Sequence, residues 1–161
     1  MSINYTSINT PIGLLEIREK DGSIDKINFI EGINMNSEAS TPLLNEAKKQ
    51  LNEYFAGQRE SFQLNIAPLG TQFQNEVWSA VQEIPYGKSQ SYSDIAKIIN
   101  NEGSVRAVGA GNGRNPILIV IPCHRVIGQN GTLSGYSGGK WRKKWLLEHE
   151  AKIKYGVVKL F

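Results

Sequence analysis

The chain contains one cysteine and two histidines, His124 and His149. A lone cysteine excludes an internal disulfide, and three candidate ligands make a structural zinc site an unsuitable expectation. A free thiol fits a reducing compartment, so a cytoplasmic location is expected. No apolar run exceeds the five residues Ile117–Ile121, far short of the ~20 a membrane-spanning helix needs. The first residues, "MSINYTSINT", lack the basic-then-apolar pattern of a secretory signal. Internal repeats and low-complexity segments are also missing. What remains is a globular composition, 40% hydrophobic and 20% charged, in a chain long enough for one sizeable core or two small ones.

Charge is distributed unevenly. Residues 1–66 carry six Lys/Arg against nine Asp/Glu, and residues 67–161 carry twelve against six. A basic second part behind an acidic first part suggests a polyanionic partner such as nucleic acid, or simply a solvated basic face. The change coincides with a predicted domain boundary, giving domains 1–66 and 67–161.

The first part reads as strands followed by a helix. Apolar residues alternate at Leu15 and Ile17 and recur at Ile24, Ile27 and Phe29, with turn signals at Thr10-Pro11 and Asp21-Gly22. Leu43, Leu44, Ala47, Leu51, Tyr54 and Phe55 then recur at helical spacing behind Thr41 as cap, with Pro42 first and Gly57 last. "QRESFQLNIAPLG" predicts one more short strand and a linker. The second part opens with a helix carrying Phe73, Val77, Trp78, Val81 and Ile84 on one face. Two short helices follow, "SYSDIAKIIN" and "SVRAVGAGNGR", separated by "NEG" in a helix-turn-helix pattern. Ala107, Gly109, Ala110 and Gly111 make the second a weak helix by propensity. Such a surface suits close approach, either to a neighbouring helix or to an external partner. A Gly/Ser-rich loop, "GQNGTLSGYSGG", leads to a last helix, "KWRKKWLLEHEAK".

The chemistry concentrates at "ILIVIPCHRVIG", where an apolar run and a proline deliver Cys123 beside His124 and Arg125. A lone cysteine after a β-like run is first of all a small buried hydrophobe. To act as a nucleophile it needs a base, since a thiol of pKa about 8.5 is mostly protonated at neutral pH. Neighbours on an extended segment point to opposite faces, so His124 would reach the thiol through a water. The histidine in turn needs an acceptor for its other nitrogen, and Glu150 or Glu148 on the last helix can supply one.

"IPCHRVI", with Asn115 in "GRNP" upstream, "SGYSGG" and "WLLEHE" downstream, and "YGKSQSYSDIA" and "VRAVGAG" before it, resembles the O6-alkylguanine-DNA alkyltransferases. The likeness runs through residues 71–150 in the family's order. It implies an α/β fold: a ribonuclease-H-like N-terminal domain of antiparallel sheet plus helix, then a mostly helical, winged-helix-like DNA-binding domain. It implies irreversible, stoichiometric transfer of an alkyl group from O6 of guanine, or O4 of thymine, to Cys123 without a cofactor. By the same resemblance, His124 deprotonates the thiol through water, Glu150 orients His124, Asn115 holds the turn, and Tyr92 protonates N3 of the departing guanine. The lesion is flipped out of the duplex. Arg106 fills the gap in the stack, while Ala107 and Gly109 sit on the slim helix that enters the minor groove. Val126, Tyr136 and Ser137 line the base pocket, and Ser93 and Asn101 meet the DNA backbone. The implied partner is double-stranded DNA containing O6-alkylguanine, bound by a monomer and with no membrane involved. Some family members hold zinc through N-terminal cysteines and histidines; this chain has neither there, so no metal is expected. Two other classes stay open at this point: a lesion-binding protein that performs no transfer, and a Cys-His-Glu hydrolase.

Overall fold

The computed structural model describes residues 2–32, 36–157 and 160. It divides into two compact units, Met1–Leu69 with Pro116–Leu118, and Gly70–Asn115 with Ile119–Phe161.

The first unit is built on three antiparallel strands in the order β1 (Ile3–Thr10), β2 (Gly13–Lys20) and β3 (Ser23–Ile30). Asp21 and Gly22 both take positive φ, 51° and 85°, as a two-residue hairpin turn requires. Ile24 and Ile27 are three apart, yet both are fully buried. A bulge explains this: Ile17 pairs with Ile27 and Arg18 with Lys26, but Glu19 pairs with Ile24, so Asp25 is the extra residue that resets the alternation. Helix α1 (Pro42–Phe55) starts at Thr41, whose hydroxyl accepts from the Leu44 amide at 3.1 Å. Its buried Leu44, Ala47, Leu51 and Tyr54 close the core over Leu15, Ile17, Ile24 and Ile27.

Two expected extended segments differ from the reading above. Only Ile66 of "QRESFQLNIAPLG" pairs with the sheet, bridging Ile24; Pro68, lacking an amide hydrogen, cannot continue the ladder. The run Ile117–Ile121 is not a strand either. Ile27 donates to the Pro116 carbonyl at 2.9 Å and accepts from Leu118 at 3.0 Å, after which the chain turns. Ile119 takes φ 73°, an uncommon conformation for a β-branched residue.

The second unit holds α2 (Gln72–Gln82), α3 (Tyr92–Ile98), α4 (Val105–Gly113) and α5 (Lys140–Tyr155). A two-residue parallel ladder joins β4 (Gln90–Ser91) to β5 (Val126–Ile127). Capping boxes at Thr71/Gln74 and Ser91/Asp94 start α2 and α3. Between α3 and α4 the chain turns through Asn100, with φ 58°, and the short turn Glu102–Ser104, completing the helix-turn-helix. Trp78 is buried, and its indole nitrogen donates to the Gly111 carbonyl at 2.9 Å. A methyl group added at Gly111 would already touch Val77, and one at Gly109 would touch the Tyr92 ring. Gly109 and Gly111 thus face Tyr92 and Val77 on the packed side of α4, while Arg106, Ala107, Ala110 and Gly113 form its slim exposed side. Helix α5 turns a mixed face inward: Arg142, Lys143, Leu146, Leu147, Glu150 and Ala151 are buried.

Candidate active site

Cys123, His124 and Arg125 form one tight helical turn between Pro122 and β5, so the alternating geometry of an extended segment does not apply to them. All three are buried. The turn is pinned from the end of α4, where Asn115 Nδ2 donates to the Ile121 carbonyl at 2.7 Å and Asn112 Nδ2 to the Cys123 carbonyl at 3.2 Å. Asn115 also hydrogen-bonds the Cys123 side chain.

Glu150 organises the other side. Its carboxylate accepts four bonds: from His124 Nε2 at 2.7 Å, Arg125 Nε at 2.9 Å, Arg125 Nη2 at 3.0 Å and the Gly87 amide at 3.1 Å. Burial alone would raise its pKa, but His124 and the Arg125 guanidinium outweigh that and hold it well below the ordinary carboxylate range. Arg125 is itself fixed by the Ile84 carbonyl at 2.7 Å and by the Tyr86 ring, 5.6 Å away. The alternative acceptor Glu148 is elsewhere, taking the Leu160 amide at 2.8 Å.

Burial, then the charges of Arg125 and Lys143, lower the His124 pKa despite Glu150, so the ring is neutral near pH 7. An ionised carboxylate can only accept, so the ring hydrogen lies on Nε2. Nδ1 then carries the basic lone pair, and it is buried without a hydrogen-bond partner among the described residues. Burial pushes the Cys123 thiol from 9.0 up to about 11, against the opposing pulls of Asn115 and Lys143.

Four contributors escaped the sequence reading: Arg125 as a brace for Glu150, Asn112, Ser134 and Lys143. Lys143 is fully buried, and its Nζ donates to the carbonyl of Val126 at 2.6 Å, to Ser134 Oγ at 2.9 Å and to the carbonyl of Gly135 at 3.3 Å. Ser134 in turn bonds the Tyr92 hydroxyl at 2.5 Å. A signal for Lys143 existed, because it lies two helical turns before Glu150 and must share its face. The main-chain carbonyl of Val126 is braced by the buried Lys143, and that of Cys123 accepts from both Asn112 Nδ2 and the Val126 amide.

The remaining candidates separate into two groups. Tyr136 is half-buried, with its hydroxyl buried and unpaired among the described residues, and it is close enough to Cys123 to feel its charge; Ser137 beside it is exposed. On the helix-turn-helix, Arg106, Ala107 and Asn101 are exposed, Ser93 and Gly109 half-buried. No hydrogen bond or ion pair holds the Arg106 side chain among the described residues. Of the predicted set, the structure thus unites Cys123, His124, Glu150 and Asn115 directly, and links Tyr92 and Val126 through Lys143.

A helix-turn-helix unit with a buried thiol, a histidine poised by a carboxylate and an unpaired cation on a slim helix defines a DNA-binding protein with cysteine-centred chemistry. The comparisons agree and are more specific. Residues 72–152 match the model of the 6-O-methylguanine DNA methyltransferase DNA-binding domain, and residues 3–68 match the ribonuclease-like domain of the same proteins. The constitutive methylated-DNA–protein-cysteine methyltransferase of Bacillus subtilis is 44% identical over 159 residues, covering 94% of this chain and 96% of the relative. The corresponding protein of Methanosarcina acetivorans is 42% identical, covering 91% and 97%. A crystal structure of the Mycobacterium tuberculosis protein in complex with DNA superposes with a TM-score of 0.84 at 43% identity, covering 93% of this chain and 94% of that one. The chain belongs to the 6-O-methylguanine DNA methyltransferase family.

Proposed function

We propose that this protein repairs DNA by moving the alkyl group from O6 of a guanine to Cys123 Sγ, once per molecule. The observation that carries the reading is the buried, unpartnered Nδ1 lone pair of His124, next in sequence to the lone thiol and set by an ionised Glu150. A water between Sγ and Nδ1 takes the thiol proton and passes it to the imidazole. The thiolate attacks the alkyl carbon, the S–C bond forms and the C–O6 bond breaks. Tyr92 gives its phenolic proton to N3, so guanine leaves as a neutral base. The imidazolium then loses one proton to solvent and the phenolate regains one. A thioether is not reversed by any of these groups, so the protein is consumed.

The lesion must leave the stack to reach a buried thiol. The unpaired Arg106 would take its place in the duplex, and the slim face of α4 would lie in the minor groove, with Ser93 and Asn101 on the backbone. The carbonyls of Cys123 and Val126, with Tyr136 and Ser137, would hold the flipped base. Residues 67–161 carry all of these groups, and residues 1–66 support them; the protein acts as a monomer in a reducing cytoplasm.

The test is mass spectrometry after incubation with an O6-methylguanine oligonucleotide. One methyl group on the Cys123 peptide is expected, with no turnover beyond one equivalent. Tight binding with an unmodified thiol would instead indicate a lesion sensor, and multiple turnovers a hydrolase. A Cys123→Ala variant is expected to lose transfer while retaining DNA affinity.

A further inference from the structure

We infer that Ser134 is a positioning residue for transfer, fixing the direction in which the Tyr92 hydroxyl donates its proton. The inference rests on Tyr92 acting as the proton donor to the leaving guanine. Its basis is a count of hydrogens. The Lys143 ammonium has three, and exactly as many acceptors surround it: the carbonyls of Val126 and Gly135, and Ser134 Oγ. An ammonium cannot accept, so Ser134 Oγ receives a bond from Lys143 and keeps its own hydrogen to donate. Among the described residues Ser134 has one other partner, the Tyr92 hydroxyl at 2.5 Å. In the arrangement we infer, Ser134 gives that hydrogen to Tyr92, and the phenolic hydrogen is turned away from Ser134 and left for the substrate.

The same chain of bonds favours the reaction itself. As the phenol loses its proton, the growing charge on its oxygen meets the Ser134 hydroxyl, which is polarised by the ammonium behind it. The Lys143 nitrogen also lies 5.9 Å from the Tyr92 ring centroid. Burial lowers the Lys143 pKa to about 8, with Cys123 opposing and Lys140 adding to the shift, so the group remains largely ammonium at neutral pH. No proton moves beyond the one passing from Tyr92 to N3; Ser134 and Lys143 keep theirs.

The test compares wild type, Ser134→Ala and Ser134→Thr in single-turnover transfer from duplexes containing O6-methylguanine or its 3-deaza analogue, which has no N3 lone pair. General-acid contributions run to about 10²–10⁴-fold, and loss of orientation should forfeit on the order of tenfold of this. The expectation is a tenfold slower Ser134→Ala on O6-methylguanine, near-complete rescue by Ser134→Thr, and no difference among the three on the 3-deaza substrate. Equal slowing of Ser134→Ala on both substrates would assign the serine a merely structural role and overturn the inference, as would a Ser134→Ala rate equal to wild type. Failure of the underlying reading is seen separately, in wild type alone: no penalty for the 3-deaza substrate would remove Tyr92 as the donor.

Discussion

Replacing Glu150 by Gln tests the electrostatic core of the site with almost no change of shape. The carboxylate is 1% exposed, Arg125 5% and His124 0%, and four donors converge on its two oxygens. The amide keeps one acceptor oxygen and turns an NH₂ group toward the remaining donors. Arg125 would stay buried and charged, with at most one neutral amide oxygen, the Ile84 carbonyl and the Tyr86 ring in place of the carboxylate. Removing one member of a buried pair costs about 3–5 kcal/mol, and at ~2–4 °C per kcal/mol for a chain of this size the melting temperature should fall by about 10 °C. The pH dependence gives a sharper signature. The folded-state pKa of Glu150 lies below its ordinary 4.5, so its contribution is complete above that pH and is lost as the pH falls further. The gap between wild type and variant should therefore be widest at neutral pH and narrow below about pH 4.5. Thermal unfolding across this range checks both points. A neutral-pH difference under about 1 kcal/mol, or a gap that does not narrow in acid, would refute the account of Glu150 as an ionised hub.

Three other outcomes follow from the geometry. With its thiol raised from 9.0 to about 11, Cys123 should react with iodoacetamide about a hundredfold more slowly at pH 8 than an unperturbed thiol, measured by timed alkylation and mass spectrometry. Arg106→Ala should slow transfer from duplex DNA far more than transfer from free benzylguanine; equal losses on the two substrates would count against a role in the stack. Alkylated Cys123 adds bulk in a buried turn, so the spent protein should melt lower than the unmodified one, and an unchanged melting temperature would contradict the tight packing around the thiol.

The legible parts of this sequence were those fixed by local chemistry. Thr41-Pro42 and Asp21-Gly22 carry their cap and turn in their side chains or backbone freedom, and each stands where expected. Cys123, His124, Asn115 and Glu150 are legible as candidates because their residue types and motifs name a chemistry, and the structure brings these four together. Ile24 and Ile27 were seen as inward residues, but the bulge at Asp25 that permits both depends on pairing with β2. The run Ile117–Ile121 misled because apolar, β-branched residues look alike whether they form a ladder or a buried turn. Helix α5 hid its role for the opposite reason: Lys143 and Glu150 face inward and so resemble solvated charges until their partners, 17 and 26 residues away along the chain, are known.

Pro116–Leu118 pack with the first unit although most of the second precedes and follows them in sequence. β3 is an edge strand, and the hydrogen bonds that cover it at Ile27 come from this short segment. During synthesis the Ile24 end of this edge is covered once Asn65–Ala67 have emerged, but its Ile27 position stays open until Leu118 follows. An open edge invites pairing with another chain, so the nascent protein is most vulnerable to aggregation over that interval. The segment that finally closes the edge runs on into the turn bearing Cys123: completing the first unit and laying down the reactive loop are consecutive moments in the life of the chain.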